Sequence, residues 1–289
     1  MRGPPRVPDS RVSSGYQAWL NQAHPGVWII ARWTSGSTQV PLSFVPGRID
    51  IDLARVCPEN AALRPVEEKH AMAQPNSIRP DTSDMAAVHQ VFRSSLASAP
   101  VLIESAAGDE DRRTLIASYY TNVLAFLEAH HDGEEELLFP LLIERAPQQK
   151  SDVDLAIEQH QDVLTLLAAA RTSVTAWEPK GDAEAPELMR TLGSLNVALS
   201  AHLDQEEARL VPLATEYVTV EEWGMLPGHA MANFDGDKIW LIMGLIRENF
   251  TPEQRAMMLE HMPPPPRQMW ETMGEASFNE MIADVRQTN

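Results

Sequence analysis

Histidine and glutamate recur in this 289-residue chain at a spacing suited to metal ligation. His130 and Glu134 are four residues apart, as are His202 and Glu206, and positions i and i+4 lie one above the other on a helix face. Each such pair can present an imidazole and a carboxylate to a common metal pair. Self-comparison shows that the two pairs are copies. His130-His131-Asp132-Gly133-Glu134-Glu135 matches His202-Leu203-Asp204-Gln205-Glu206-Glu207 at an offset of 72 residues, with Pro140 and Pro212 in the same register. A second repeat precedes it, His89 and His160, at an offset of 71. The segment therefore reads as two helical hairpins, each with one histidine on its first helix and His-x-x-x-Glu on its second.

The candidates sit on apolar stripes. Phe126, Leu127, Leu137 and Leu141 flank the first pair, and Leu195, Leu199 and Leu210 the second. Ala156, Ile157, Val163, Leu164 and Leu167 surround His160, whereas His89 has Met85, Phe92 and Leu96 as neighbours, with Arg93 beside them. A single histidine on an apolar face is ordinarily a hydrogen-bonded core residue, and a single His-x-x-x-Glu is commonly a surface pair. Four helices that each present one histidine, in a twofold repeat, are a different matter. Buried carboxylates without partners are very costly, and two of them among four imidazoles neutralise one another best around metal.

Helical patterning supplies the positioning elements. Asp81-Thr82-Ser83-Asp84 offers N-cap residues for a first helix through Met85, Val88, Phe92 and Leu96, with Pro100 as its kink or stop. A long second segment spans 110–145, a third starts at a Ser151 cap and runs to about Trp177, and a fourth spans about 184–209. Short polar loops join them, so an all-α, up-down-up-down four-helix bundle is expected. Shorter helices are expected over about 231–249, after Thr251-Pro252 (a capping threonine with proline at the first helical position) and after Pro263-Pro264-Pro265-Pro266.

The pattern resembles the hemerythrin-like, or HHE cation-binding, family over about residues 84–213. Its signature is a histidine, His-x-x-x-Glu, a histidine and His-x-x-x-Glu on four successive helices, and Glu-Glu-Glu-Leu-Leu-Phe-Pro after the first pair is typical of it. The resemblance implies two non-heme iron ions with carboxylate and oxo bridges, held by His89, His130, Glu134, His160, His202 and Glu206, the two glutamates bridging. Ferritin-like bundles need Glu-x-x-His twice, and within this segment only Glu128 with His131 has that spacing. His131 and Glu135 share the i,i+4 spacing of His130 and Glu134, but the repeat aligns His202 with His130. His131 is kept as a residue that packs behind the ligands. Oxygen-carrying members place a fifth histidine one turn after the third-helix ligand. Leu164 stands there, so one metal is expected to keep an open position.

Composition limits the alternatives. The net charge of -18 argues against a nucleic-acid partner. No apolar run is long enough for a membrane span, nor for a secretory signal. Cys57 is the only cysteine, which leaves no internal disulfide and suits a reducing, cytoplasmic compartment.

Residues 1–80 carry nine Lys/Arg against six Asp/Glu, and the remainder 14 against 35. That contrast, with ten prolines by residue 80, marks 1–80 as a low-order leader. A weakly alternating stretch from Val27 to Val45 and an ordinary-looking start at Met72 lie within it. The metal-binding bundle is expected over 81–216 and a C-terminal helical extension that packs on it over 217–289. His24, His70 and His261 lie outside the pattern, and His229 is expected at the surface, with a fold back near the bundle as the alternative. The expected role is reaction with, or binding of, a small oxidant (O2, peroxide or NO) in oxidative or nitrosative stress. Sensing, or storage of iron or oxygen without catalysis, are the alternatives.

Overall fold

The computed structural model describes residues 79–287, which fall within one compact unit, Glu68–Asn289. The expected strand stretch, the Met72 start and the rest of the leader to residue 78 lie outside the described residues. Every regular element among the described residues is helical, and no helix among them is long and apolar enough to cross a membrane.

The first helix, α1, spans Ser83–Ala97. Asp81 accepts a hydrogen bond from the Ser83 backbone N–H at 3.0 Å, whereas the Thr82 hydroxyl makes no cap and meets Thr215 instead, at 2.8 Å. Pro100 starts a helix: it lies in the first turn of α2, Ala99–Glu104, where its missing N–H has no partner to lose. After Gly108, whose φ is 72°, Asp109 caps α3, Glu110–Gly133, by accepting from Arg112 N–H at 2.9 Å. A π-helical turn, Glu134–Leu138, then joins α3 to α4, Phe139–Arg145.

The third and fourth segments differ from expectation at their ends. Helix α5 is Lys150–Lys180, entered through the 3-10 turn Pro147–Gln149, so Ser151 is inside the helix and caps nothing. Helix α6, Ala185–Tyr217, runs through Pro212. An interior proline costs about 3 kcal/mol. Burying Leu210 and Ala214 completely on the last turns offsets that cost.

These helices close a ring of neighbours: α1 packs on α3 and α6, and α5 packs on α3 and α6. The shorter helices follow as α7 (Val220–Trp223), α8 (Met225–Asn233), α9 (Ile239–Asn249), α10 (Pro252–His261), α11 (Pro264–Met269) and α12 (Glu275–Arg286). The single helix expected over 231–249 is two, because buried Asn122 of α3 claims the backbone between them. Its amide donates to Asp237 at 2.9 Å, and its oxygen accepts from Lys238 N–H at 2.8 Å. Thr251 caps α10 as expected, with Gln254 completing a reciprocal capping pair. The last helical stretch starts earlier than expected, inside the proline run at Pro264.

Helix α9 packs on α1, α3 and α12. A Cβ on Gly244 would lie 2.1 Å from Phe278, so only glycine permits this approach of α9 to α12. Arg112 of α3 donates to the carbonyls of Asp284 and Val285 at the end of α12, at 2.6 and 2.9 Å. The buried apolar side chains form two clusters. The larger holds Phe92, Leu127, Val163, Leu199 and Leu203 together with Leu241, Trp270 and Phe278. The smaller holds Met85, Leu138, Ala156 and Leu210 with Trp223.

Candidate metal centre

The interval between those clusters is polar on all four long segments. Between Met85 and Phe92 comes His89; between Leu127 and Leu138 come His130, His131 and Glu134; between Ala156 and Val163 comes His160; between Leu203 and Leu210 comes Glu206, with His202 just ahead. His89, His160, His202 and Glu206 are wholly buried, and Glu134 and His131 are each only 1% exposed. The sequence pattern thus places all six expected residues in one layer.

Their ligand atoms form two adjacent sets. One is His89, His130, Glu134 and Glu206; the other is His131, Glu134, His160 and His202, and within each set the ligand atoms lie within 4.8 Å of one another. Glu134 belongs to both. Its Oε1 stands 3.1 Å from His130 Nε2 and its Oε2 3.5 Å from His160 Nε2. Glu206 also faces both sides, with Oε2 3.5 Å from His89 Nε2 and 3.6 Å from His202 Nε2. His160 Nε2 and His202 Nε2 approach to 3.1 Å. Two ligand atoms held about 2.1 Å from one ion, at right angles, stand about 3 Å apart. The observed separations fit that arrangement.

Orphaned buried atoms supply an independent test of fit. Both oxygens of Glu134 and of Glu206, Nε2 of His89 and of His130, and both ring nitrogens of His131 lack a hydrogen-bond partner. The 3.1 Å approach of His130 to Glu134 is not aligned as a hydrogen bond. Such atoms are rare in folded proteins and costly to leave unpaired. Their electrostatics point the same way. Burial raises the Glu134 carboxyl to about 8 and the Glu206 carboxyl well above its ordinary range. Burial also holds His130 and His131 well below the usual imidazole value and His202 at about 3. Neutral imidazoles are ready ligands, and a cation is what would stabilise the two carboxylates in ionised form.

Carboxylates outside the layer orient the histidines within it. Glu207 accepts from His89 Nδ1 at 2.8 Å and Glu135 from His160 Nδ1 at 2.9 Å, which leaves each Nε2 facing inward. Glu207 is also held by Arg93 at 2.6 Å, and Arg93 reaches Asp204 at 2.7 Å. The His89 hydrogen bond, with Arg93 beside it, depresses the Glu207 carboxyl to about 2. The side-chain oxygen of Gln159 lies 3.3 Å from His202 Nδ1.

Sequence reading missed these orienting roles, although the second glutamate of each Glu-Glu doublet was their signal. Glu135, weighed there as a ligand, turns to His160 instead. His229 folds back onto the π turn: its Nε2 contacts Glu136 at 2.9 Å, and a Cβ on Gly133 would be 3.4 Å from its Nδ1.

The same layer answers the question of family. Residues 81–214 match the hemerythrin HHE cation binding domain. This hemerythrin-like segment contains all six residues expected as ligands, and also His131, Glu135 and Glu207. Its match supports cation binding by the donor layer. Neither the curated proteins nor the solved structures offer a match to this chain.

Proposed function

We propose that the hemerythrin-like segment holds two non-heme iron ions in an up-down-up-down bundle and that the centre binds or reacts with a small oxidant: O2, peroxide or NO. The observation that carries this reading is the pair of adjacent donor sets that share Glu134, lined by orphaned ligand atoms. His89 and His130 would hold one ion, His160 and His202 the other, with Glu134 and Glu206 bridging. Imidazole and carboxylate donors suit iron, and the bound pair would supply one-electron chemistry and a place for a small ligand. The chain's own contribution is orientation. Glu207 and Glu135 fix two rings, and the two apolar clusters above and below the layer exclude bulk water.

The test is metal analysis with an optical spectrum on protein purified in air. Two irons per chain and near-ultraviolet bands that shift with azide are expected. A colourless protein holding only zinc, or no metal, would overturn the proposal. A sensor is the second reading, favoured by one contact. His229 in α8 meets Glu136 two residues from Glu134, which links the site to the C-terminal helices. Metal-dependent protection of α8 in hydrogen exchange, without peroxide or NO consumption, would favour it.

A further inference from the structure

His131 is the buried group that the six-residue set leaves unexplained. Histidine in a core ordinarily satisfies at least one ring nitrogen. His131 is 1% exposed, yet neither Nδ1 nor Nε2 has a hydrogen-bond partner. Its surroundings are other imidazoles. The ring stacks on His160 with centroids 4.1 Å apart and an interplanar angle of 18°, and meets His202 edge-on at 5.2 Å. One of its nitrogens lies within 4.8 Å of ligand atoms of Glu134, His160 and His202. Three imidazoles and a carboxylate with converging donors form a complete metal-binding set.

We propose that His131 is a seventh metal-binding side chain, which makes the two halves of the centre unequal: His131, His160 and His202 on one side, His89 and His130 on the other. The inference rests on the proposed dinuclear site and adds the distribution of ligands within it. It also moves the expected open position. Leu164 is half-buried against the larger apolar cluster and carries no donor, but the imidazole absent there is supplied from α3 by His131. The side with fewer side-chain donors is then that of His89 and His130, and small anions should exchange there.

Adjacent residues on a helix are about 100° apart, so two consecutive side chains can border one central layer on different sides. His130 packs toward α1, with its ring 5.3 Å from those of His89 and Phe92. His131 packs toward α5 and α6. The doublet thereby serves both halves from one helix.

The test loads metal-free full-length chain with ferrous iron under anaerobic conditions and measures iron retained after dialysis against a weak chelator. Wild type should keep two ions per chain and His131→Leu one, with affinity for the lost ion down at least tenfold. The metal-free His131→Leu chain should melt at or above the wild-type temperature, since it loses two unpaired polar atoms, and its metal-dependent rise in Tm should shrink. If the leucine variant does not fold, His131→Gln, which keeps size and polarity, should show the same loss of one ion. Two ions held as tightly by either folded variant as by wild type would overturn the inference and leave the proposed function standing. A wild-type chain that retains no iron would overturn both.

Discussion

The ring of His89 is oriented by Glu207, 118 residues away in the chain, through a 2.8 Å hydrogen bond to Nδ1. His89 belongs to the first hairpin of the repeat and Glu207 to the second. The reciprocal contact, His160 Nδ1 to Glu135 at 2.9 Å, runs from the second hairpin back to the first. Each Glu-Glu doublet therefore divides its labour. The first carboxylate enters the donor layer, and the second fixes a histidine of the other hairpin.

Removing an orienting charge while keeping its shape should loosen the metals without emptying the site. Glu207→Gln and Glu135→Gln are each expected to weaken iron binding by about 10- to 100-fold, with two ions still bound at saturation. Glu207→Gln should have the larger effect, because Arg93 also loses a charged partner. Competition against a calibrated chelator measures this, and unchanged affinity in both variants would refute the orienting role.

His130→Ala should remove a ligand outright. Retained iron is expected to fall by about one ion per chain. The metal-free protein should stay folded, since Nε2 of His130 has no hydrogen bond to lose. Full retention would place the first donor set elsewhere.

Leu164→His separates two accounts of the layer. With His131 and His202 already beside His160, an added histidine has no metal to bind and buries a polar ring in the edge of the apolar cluster. A loss of about 1–3 kcal/mol, equal with and without iron, is expected in denaturant titration. A gain in stability that depends on metal would show that position 164 faces an ion.

The approach of α9 to α12 depends on Gly244. Gly244→Ala would favour helix by about 1 kcal/mol in an exposed position. Here the new methyl meets the Phe278 ring at 2.1 Å, and overpacking of this kind costs about 1–3 kcal/mol. A net loss is expected in thermal melts, and an unchanged or raised Tm would mean that the two helices separate freely.

Arg145 at the end of α4 binds both oxygens of Glu222 in α7, at 2.7 and 2.6 Å. That hydrogen-bonded charge lowers the Glu222 carboxyl from an ordinary 4.5 to about 2. A depressed carboxyl stabilises the fold above its unfolded value and loses that contribution as pH falls from 4.5 toward 2. Both side chains are partly solvated, so the contribution is about 1 kcal/mol or less. Glu222→Gln, which keeps the acceptor that caps Thr219 N–H, should cost that amount at pH 7. The difference from wild type should shrink toward pH 3, and a difference that stays constant with pH would mean that the charge contributes nothing.

The four long helical segments and the placing of the six expected residues in one buried layer were legible because they rest on periodicity, which burial enforces directly. Helix ends were less so. Pro212 marks a stop by local rules, yet buried Leu210 and Ala214 carry α6 past it. Asn122 breaks the helix expected over 231–249 from more than a hundred residues away, and no local pattern records that. The roles of His130 and His131 were unreadable for a related reason. Both satisfy i,i+4 spacing with a glutamate, and only the packing of α3 between α1 and α5 shows that both rings are buried at the layer.

The crossed contacts also bear on how the protein is made. His89 leaves the ribosome more than a hundred residues before Glu207, the group that aims it, and Glu206 emerges as late. A nascent chain that ends before residue 206 has the His131, Glu134, His160 and His202 set but lacks Glu206 of the other, together with Glu207, which aims His89. On the proposed function, the centre fills completely only after Glu206 and Glu207 have emerged, and chains stalled before them would hold metal weakly and incompletely. Metal supply would then act on a chain that already carries both hairpins, and the fraction of chains loaded would follow metal availability.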